Sequence, residues 1–197
     1  MGSADPTTAN GARRAKQLWI LALSGLLLLF PKYTIDSAVG ACTMPAKPAG
    51  LVAASIVRVV DGDTLVVSVP ADARRRLRLI GIDTPELHPS DKLKKDAVRS
   101  GRSVAVVQAL GAKASDFAKR RLNDQTVELE SDVQPHDRYG RALVYIWLGK
   151  ELYNAAVVRD GYASPMTIPP NVKYADLFAA CYREARDSRR GLWAIDN

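Results

Sequence analysis

Three β-patterned segments follow one another before any helical period appears, and that order limits what the chain can become. Residues 53–60 and 64–69 are rich in β-branched residues and are joined by Asp61-Gly62-Asp63, a turn signal that reads as a hairpin. Residues 74–82 follow as a third strand. A doubly wound α/β fold would place a helix after each strand, so this order points to a small barrel or meander. Further on, residues 126–130 alternate Val127 and Leu129 with polar neighbours, and residues 142–148 form an apolar run. Val104, Val107, Leu110, Ala114, Phe117 and Leu122 approximate helical spacing, so a helix is expected to end near Asn123, with Gly111 weakening its middle. Lys119, Arg120 and Arg121 at its end complement the helix dipole. Residues 151–159 read as a short helix closed by Gly161, and 172–189 as a last helix packing Leu177, Phe178, Cys181 and Ala185, with Trp193 docking the tail. The expectation is a mainly β domain with helices: five strands and about three helices, without internal repeats. Between them, Lys92, Lys94, Lys95, Arg99 and Arg102 make a basic stretch with little apolar content, expected as an exposed loop or frayed helix.

A chain of 197 residues, 47% hydrophobic and 25% charged, suits one packed domain of about 150 residues plus appendages. Its formal net charge of +7 favours an anionic partner, either nucleic acid or an acidic surface. Only Arg13, Arg14, Lys16 and Lys32 of the bases, and Asp5 and Asp36 of the acids, fall within residues 1–42, so the basic character belongs to the remainder. Arg13, Arg14 and Lys16 precede an apolar run, residues 18–30, closed by Pro31. That run is shorter than the roughly 20 residues of a spanning helix and suits a signal-peptide core, with small residues at 38–41 as a cleavage site. An uncleaved membrane tether through residues 18–30 and a cleaved chain lipidated at Cys42 are the competing readings. Export to the cell envelope or beyond is the expectation, with residues 43–50 as a linker and the folded domain spanning 51–197. Cys42 and Cys181 are too few for a disulfide framework and lack zinc-like spacing; pairing would require an oxidising compartment, and nothing in the sequence fixes their separation. His88 and His136 are isolated and read as solvated loop residues.

The chemistry-bearing residues gather around Arg78-Leu79-Ile80-Gly81-Ile82-Asp83-Thr84-Pro85-Glu86. Pro85 fixes its own φ and biases Thr84 towards an extended backbone, so Glu86 leaves the strand on a constrained path. Asp63, Asp83 and Glu86 offer carboxylates without Cys or His, a donor set for a hard cation such as Ca²⁺ or Mg²⁺. Arg78 and Arg141 offer planar, always-charged groups suited to gripping a phosphate. Charged residues at strand ends are more often solvated or paired, so residue type alone leaves an ordinary strand as an equal reading. Strict alternation also sets Arg78 and Asp83 on opposite faces, and Gly81 is the expected site of a reconciling bulge.

Residues from about 54 to 195 resemble the staphylococcal nuclease (thermonuclease) family through four ordered motifs: Val60-Asp61-Gly62-Asp63-Thr64, the stretch Arg78 to Glu86, Asp137-Arg138-Tyr139-Gly140-Arg141, and Arg190-Gly191-Leu192-Trp193. The resemblance implies an OB-fold barrel of five strands with three helices. It also implies a monomeric calcium-dependent nuclease acting on DNA and RNA with little sequence preference and leaving 3′-phosphates. By the same resemblance Asp63 and Asp83 bind calcium with the carbonyl of Thr84. Glu86 is the general base, Arg78 and Arg141 hold the phosphate, and Tyr139 lies beside the nucleotide. Two departures stand out. Residues 166–170 lack the aromatic rings expected beside a base, and the segment between Glu86 and Phe117 is longer than in the best-known member. A non-catalytic OB-fold module binding nucleic acid or protein is the alternative function.

Overall fold

The computed structural model describes residues 40–70 and 72–195, so expectations for the leader or anchor at residues 18–30 lie outside the described residues. Strands β1 (Val52–Val59) and β2 (Thr64–Val69) form the expected antiparallel hairpin, and β3 (Asp72–Leu79) pairs antiparallel with β2. The strand expected to run through residue 82 is interrupted after Leu79, and β4 (Gly81–Asp83) leaves the sheet. Helices α1 (Asp91–Ser100) and α2 (Val104–Leu122) precede β5 (Thr126–Glu130) and β6 (Ala142–Leu148). Then come β7 (Glu151–Leu152), α3 (Tyr153–Arg159), β8 (Ser164–Met166), α4 (Ala175–Asp187) and a 3-10 turn, Gly191–Ile195.

The main sheet runs β3-β2-β1-β5-β6-β7, and a parallel pairing of β3 with β6 closes the first five strands into a barrel. This is the OB-fold. Leu65, Val67, Leu77, Leu79, Val127 and Ile146 point inward and are buried. A register shift between Ile56 and Arg58 lets both Ile56 and Val59 face the core, while Val57 and Arg58 share the outer face.

Among the described residues four α-helices pack around the barrel, against about three expected. The basic stretch is a true helix, α1: the Ser90 side chain accepts from the Leu93 N–H at 3.1 Å, Gly101 caps the far end at φ +68, and Leu93 and Ala97 pack on Val107 of α2. Its charges are largely internal, with Lys94 paired to Asp91 and Arg99 to Asp96. At the end of α2, Arg121 pairs with Glu151 and Asp160, anchoring the helix to β7 and α3. The cysteines settle a question the sequence left open: Cys42 and Cys181 are disulfide-bonded with Cα atoms 4.5 Å apart. Cys42 and Met44 lie against the core and Lys47 pairs with Glu128, so this segment is tied to the domain. Trp193 packs edge-on against Tyr182 of α4 at 5.3 Å. Among the described residues no helix is long and apolar enough to cross a membrane.

Candidate active site

The interruption after Leu79 is what brings the charged residues together. Gly81 sits at φ +76, and a Cβ there would meet Phe178 Cε2 at 2.3 Å, so the reversal requires glycine on both counts. Rather than bulging within one strand, the chain breaks and re-forms as β4, which pairs with β8 in the register Gly81 to Met166 and Asp83 to Ser164. The freed carbonyl of Ile80 accepts from Asn154 Nδ2 at 3.0 Å, and Asn154 Oδ1 accepts from the Ile146 N–H at 3.0 Å. This buried amide pins the break to β6, as buried polar groups must be satisfied. Arg78 and Asp83 end up on one side, with Arg78 Nη2 donating to Asp83 Oδ1 at 3.2 Å.

A cleft of about 360 Å³ is lined by Asp63, Arg78, Asp83, Thr84, Glu86 and Arg141, together with Asp61, Thr64, Arg76, Lys92 and Met166. Every residue expected to do chemistry is therefore in one place. Asp63, 6% exposed, accepts from the Thr84 N–H at 3.0 Å and Thr84 Oγ1 at 3.2 Å. Arg78 Nη1 lies 2.7 Å from its Oδ2, a close ion pair within the cleft. Gly62 permits this contact between turn and strand, since a Cβ would come within 2.7 Å of Thr84 Cγ2. Arg141 is held by the loop before β6: Asp137 accepts from Arg141 Nε at 2.7 Å and from the Tyr139 and Arg141 N–H groups, both at 2.9 Å. Although burial opposes it, these bonds hold the Asp137 carboxyl below its ordinary range. Glu86 is fixed from behind by α2. Gly111 lies so close that a Cβ would sit 2.5 Å from the Glu86 carbonyl oxygen, and Gln108 Nε2 donates to the Leu87 carbonyl at 3.0 Å.

A second cleft of about 490 Å³ adjoins the first through Arg78, Arg141 and Met166, and adds Tyr139 and Ile168. Tyr139 is 69% exposed, which excludes a core-packing role; Arg138 and Arg141 lie over its ring at 4.8 and 5.7 Å. His88 and His136 are both exposed.

Two site residues escaped sequence reasoning. Asp61 lines the cleft, where burial and then the charge of Asp63 push its carboxyl up to about 6. Its signal was the first acid of the turn, overlooked because Asp-Gly-Asp reads as a hairpin. Lys92, expected in a solvated segment, reaches in from α1: its Nζ lies 3.4 Å from Asp83 Oδ1, 3.3 Å from Glu86 Oε2 and 3.2 Å from Asp96 Oδ2, and donates to the Thr84 carbonyl at 3.2 Å. Burial pulls the Lys92 ammonium down, but the three carboxylates outweigh it and hold it above its ordinary value. Asp83 is raised, chiefly by burial.

Among the described residues no three carboxylate, His or Cys side chains converge into a ready metal cage. What does converge is a mixed oxygen set, Asp83, Thr84 carbonyl and Glu86, already holding one cation, the Lys92 ammonium. Oxygen donors that gather an ammonium are the hard ligands that Ca²⁺ takes, so Asp83 and the Thr84 carbonyl fit such an ion.

The family model for staphylococcal nuclease homologues matches residues 76–195, more than half of the chain. The chain belongs to the staphylococcal nuclease family. It is 34% identical over 180 residues to a thermonuclease of Staphylococcus hyicus, covering 89% of this chain and 95% of the relative. With a thermonuclease of Staphylococcus intermedius it shares 38% identity over 136 residues, 69% of this chain and 73% of the other. An endonuclease of Bacillus subtilis is 30% identical over 145 residues, 69% of this chain but 11% of that larger protein. Against this staphylococcal nuclease background, α1 with Lys92 and the apolar pair Met166 and Ile168 are the features that sequence reasoning marked as departures or left unassigned.

Proposed function

We infer that the protein is an exported, calcium-dependent nuclease that hydrolyses phosphodiester bonds of DNA and RNA with little sequence preference. The observation carrying this reading is the cleft in which two guanidinium groups, Arg78 and Arg141, face Asp63, Asp83 and Glu86 around the Thr84 carbonyl. Membership of the staphylococcal nuclease family, with thermonucleases among the relatives, supports the reaction class.

In this reading Asp63, Asp83 and the Thr84 carbonyl would hold a calcium ion, which would supply charge neutralisation and orientation of the attacking water. Arg78 and Arg141 bind the non-bridging phosphate oxygens and stabilise the charge that accumulates in the transition state. Arg78, buried and ion-paired to both Asp63 and Asp83, is held in the cleft for that task. Glu86 takes the proton from water; support for this comes from its place beside the cation-holding oxygens and from the rigid backing of α2. Tyr139 lies at the nucleotide side. Met166 and Ile168 supply apolar surface without a ring, so stacking of about 1–3 kcal/mol per base is weakened and base preference with it. The disulfide supports export, because such bonds persist in oxidising compartments, and it occupies the Cys42 sulfur that lipidation would need.

The test is cleavage of single-stranded DNA by the full-length protein in calcium and in chelator. Cleavage in calcium alone is expected, with Glu86→Gln slower by about 10²–10⁴-fold at an unchanged thermal midpoint. A protein that cuts nothing in calcium, or a Glu86→Gln form as fast as the parent, would sink the reading.

A further inference from the structure

The clefts account for Arg78 and Arg141 but leave a row of arginines on the outer face of the barrel without a task. Along β3, Arg76 and Arg78 point outward while Leu77 and Leu79 are buried. Arg76 lines the wall of the same cleft whose floor holds Arg78. Across the sheet, Arg76 is registered opposite Val66 of β2, and Val66 opposite Arg58 of β1, so the three share one transverse row. Arg58 belongs to that row because the irregularity between Ile56 and Arg58 turns both Val57 and Arg58 outward. Both Arg58 and Arg76 are exposed, and among the described residues neither has an ion-pair or hydrogen-bond partner.

Ordinary duties of surface arginines do not explain the row. Charges guard sheet edges against pairing with other chains, a duty open to Arg76 and Arg58, whose stretches of β3 and β1 pair on one side only, but that duty does not call for the two to share one row. Placing unpaired like charges near one another adds repulsion rather than stability. The spacing is informative instead. Two residues along a strand are about 7 Å apart, a step matching successive phosphates of an extended nucleic-acid strand. Arg58 lies two strands beyond Arg76, about 10 Å away, within reach of the next phosphate for a long side chain.

We propose that Arg76 and Arg58 form a phosphate track that carries the flank of a single-stranded substrate away from the cleft across the outer face of β3, β2 and β1. The track rests on the nuclease reading for the position of the scissile phosphate and extends it to the nucleotides beyond. Its partner is the sugar-phosphate backbone, because guanidinium groups on a flat strand face, with Val66 between them and no aromatic ring in the row, grip phosphates without reading bases. The track makes affinity depend on substrate length and salt, and leaves sequence preference alone.

The test uses the full-length Glu86→Gln protein, with and without Arg58→Gln or Arg76→Gln, binding fluorescent oligothymidylates of two and ten nucleotides across a salt series. Each arginine substitution is expected to weaken ten-nucleotide binding about threefold to fivefold at low salt and to lower the slope of log affinity against log salt by about 0.7. Arg58→Gln leaves dinucleotide binding and the thermal midpoint as they were. An unchanged slope for the longer strand, or an equal loss for both lengths, overturns the track. Absence of turnover in the parent protein would count against the nuclease reading alone, since the binding comparison needs no cleavage.

Discussion

Asp61 carries the clearest electrostatic signature among the site residues. Its carboxyl is raised to about 6, by burial first and by Asp63 second, so the folded protein holds that proton more tightly than the unfolded chain does. The sign follows from linkage: the penalty for ionised Asp61 is fully present above about pH 6 and is relieved as pH falls through that value towards the unfolded value of about 4. In chelator, Asp61→Asn should therefore stabilise the protein by about 1–2 kcal/mol at pH 8, with the gain vanishing near pH 4 in denaturant titrations. Among the residues, those expected to do chemistry could be singled out in the sequence because they fall in three of the four motifs and nearly all are charged, whereas those that position them could not. Asn154 looks like any helix-surface amide in the sequence, and its partners, the Ile80 carbonyl and the Ile146 N–H, are supplied by two other elements. Gly111 was legible as a glycine but misjudged as a weak point, because its use is visible only once α2 lies against the Glu86 turn.

At the level of elements, the two helices after Glu86 act on the site in opposite ways. Helix α2 fixes it. Gly111→Ala improves helix propensity by about 1 kcal/mol in isolation, yet the added methyl meets backbone at 2.5 Å, so a lower thermal midpoint and at least a roughly tenfold loss of cleavage rate are expected. Helix α1 instead delivers a cation, and the Lys92 ammonium draws Asp83, the Thr84 carbonyl and Glu86 together. Lys92→Met should leave those oxygens uncompensated. The expected outcome is a lower thermal midpoint in chelator together with, on the proposed calcium reading, about tenfold tighter calcium binding by calorimetry, because the ion would no longer compete with an ammonium. Strands β1, β2, β5 and β6 were readable because alternation or an apolar run bounded by turn residues has few other meanings. Helix α1 was hidden: its inward positions, Leu93 and Ala97, are too few to show a period among lysines and arginines, and only the Ser90 and Gly101 caps announced it. The two-residue β7 and three-residue β8 were invisible because such short strands exist only through their partners.

For the molecule as a whole, the bridge between Cys42 and Cys181 spans 139 positions and joins the segment ahead of β1 to α4. A loop of that length restricts the unfolded chain by about 5 kcal/mol in the chain-entropy limit, and native-state effects usually reduce this. Replacing both cysteines by serine, or adding reductant, should lower stability by about 3 kcal/mol and the thermal midpoint by about 10 °C in calorimetry, with the barrel retained. The β3 to β6 closure and the β4 to β8 pairing also join parts of the chain made far apart in time. All the side chains assigned to chemistry have been synthesised once Arg141 is added. The parts that hold β4 in place come later: Asn154, the strand Ser164–Met166 and Phe178 against Gly81. A growing chain thus carries every reactive group for some time before it has a working arrangement of them. The cleft is thus completed only with the last quarter of the polypeptide, after every charged side chain that lines it has already been made.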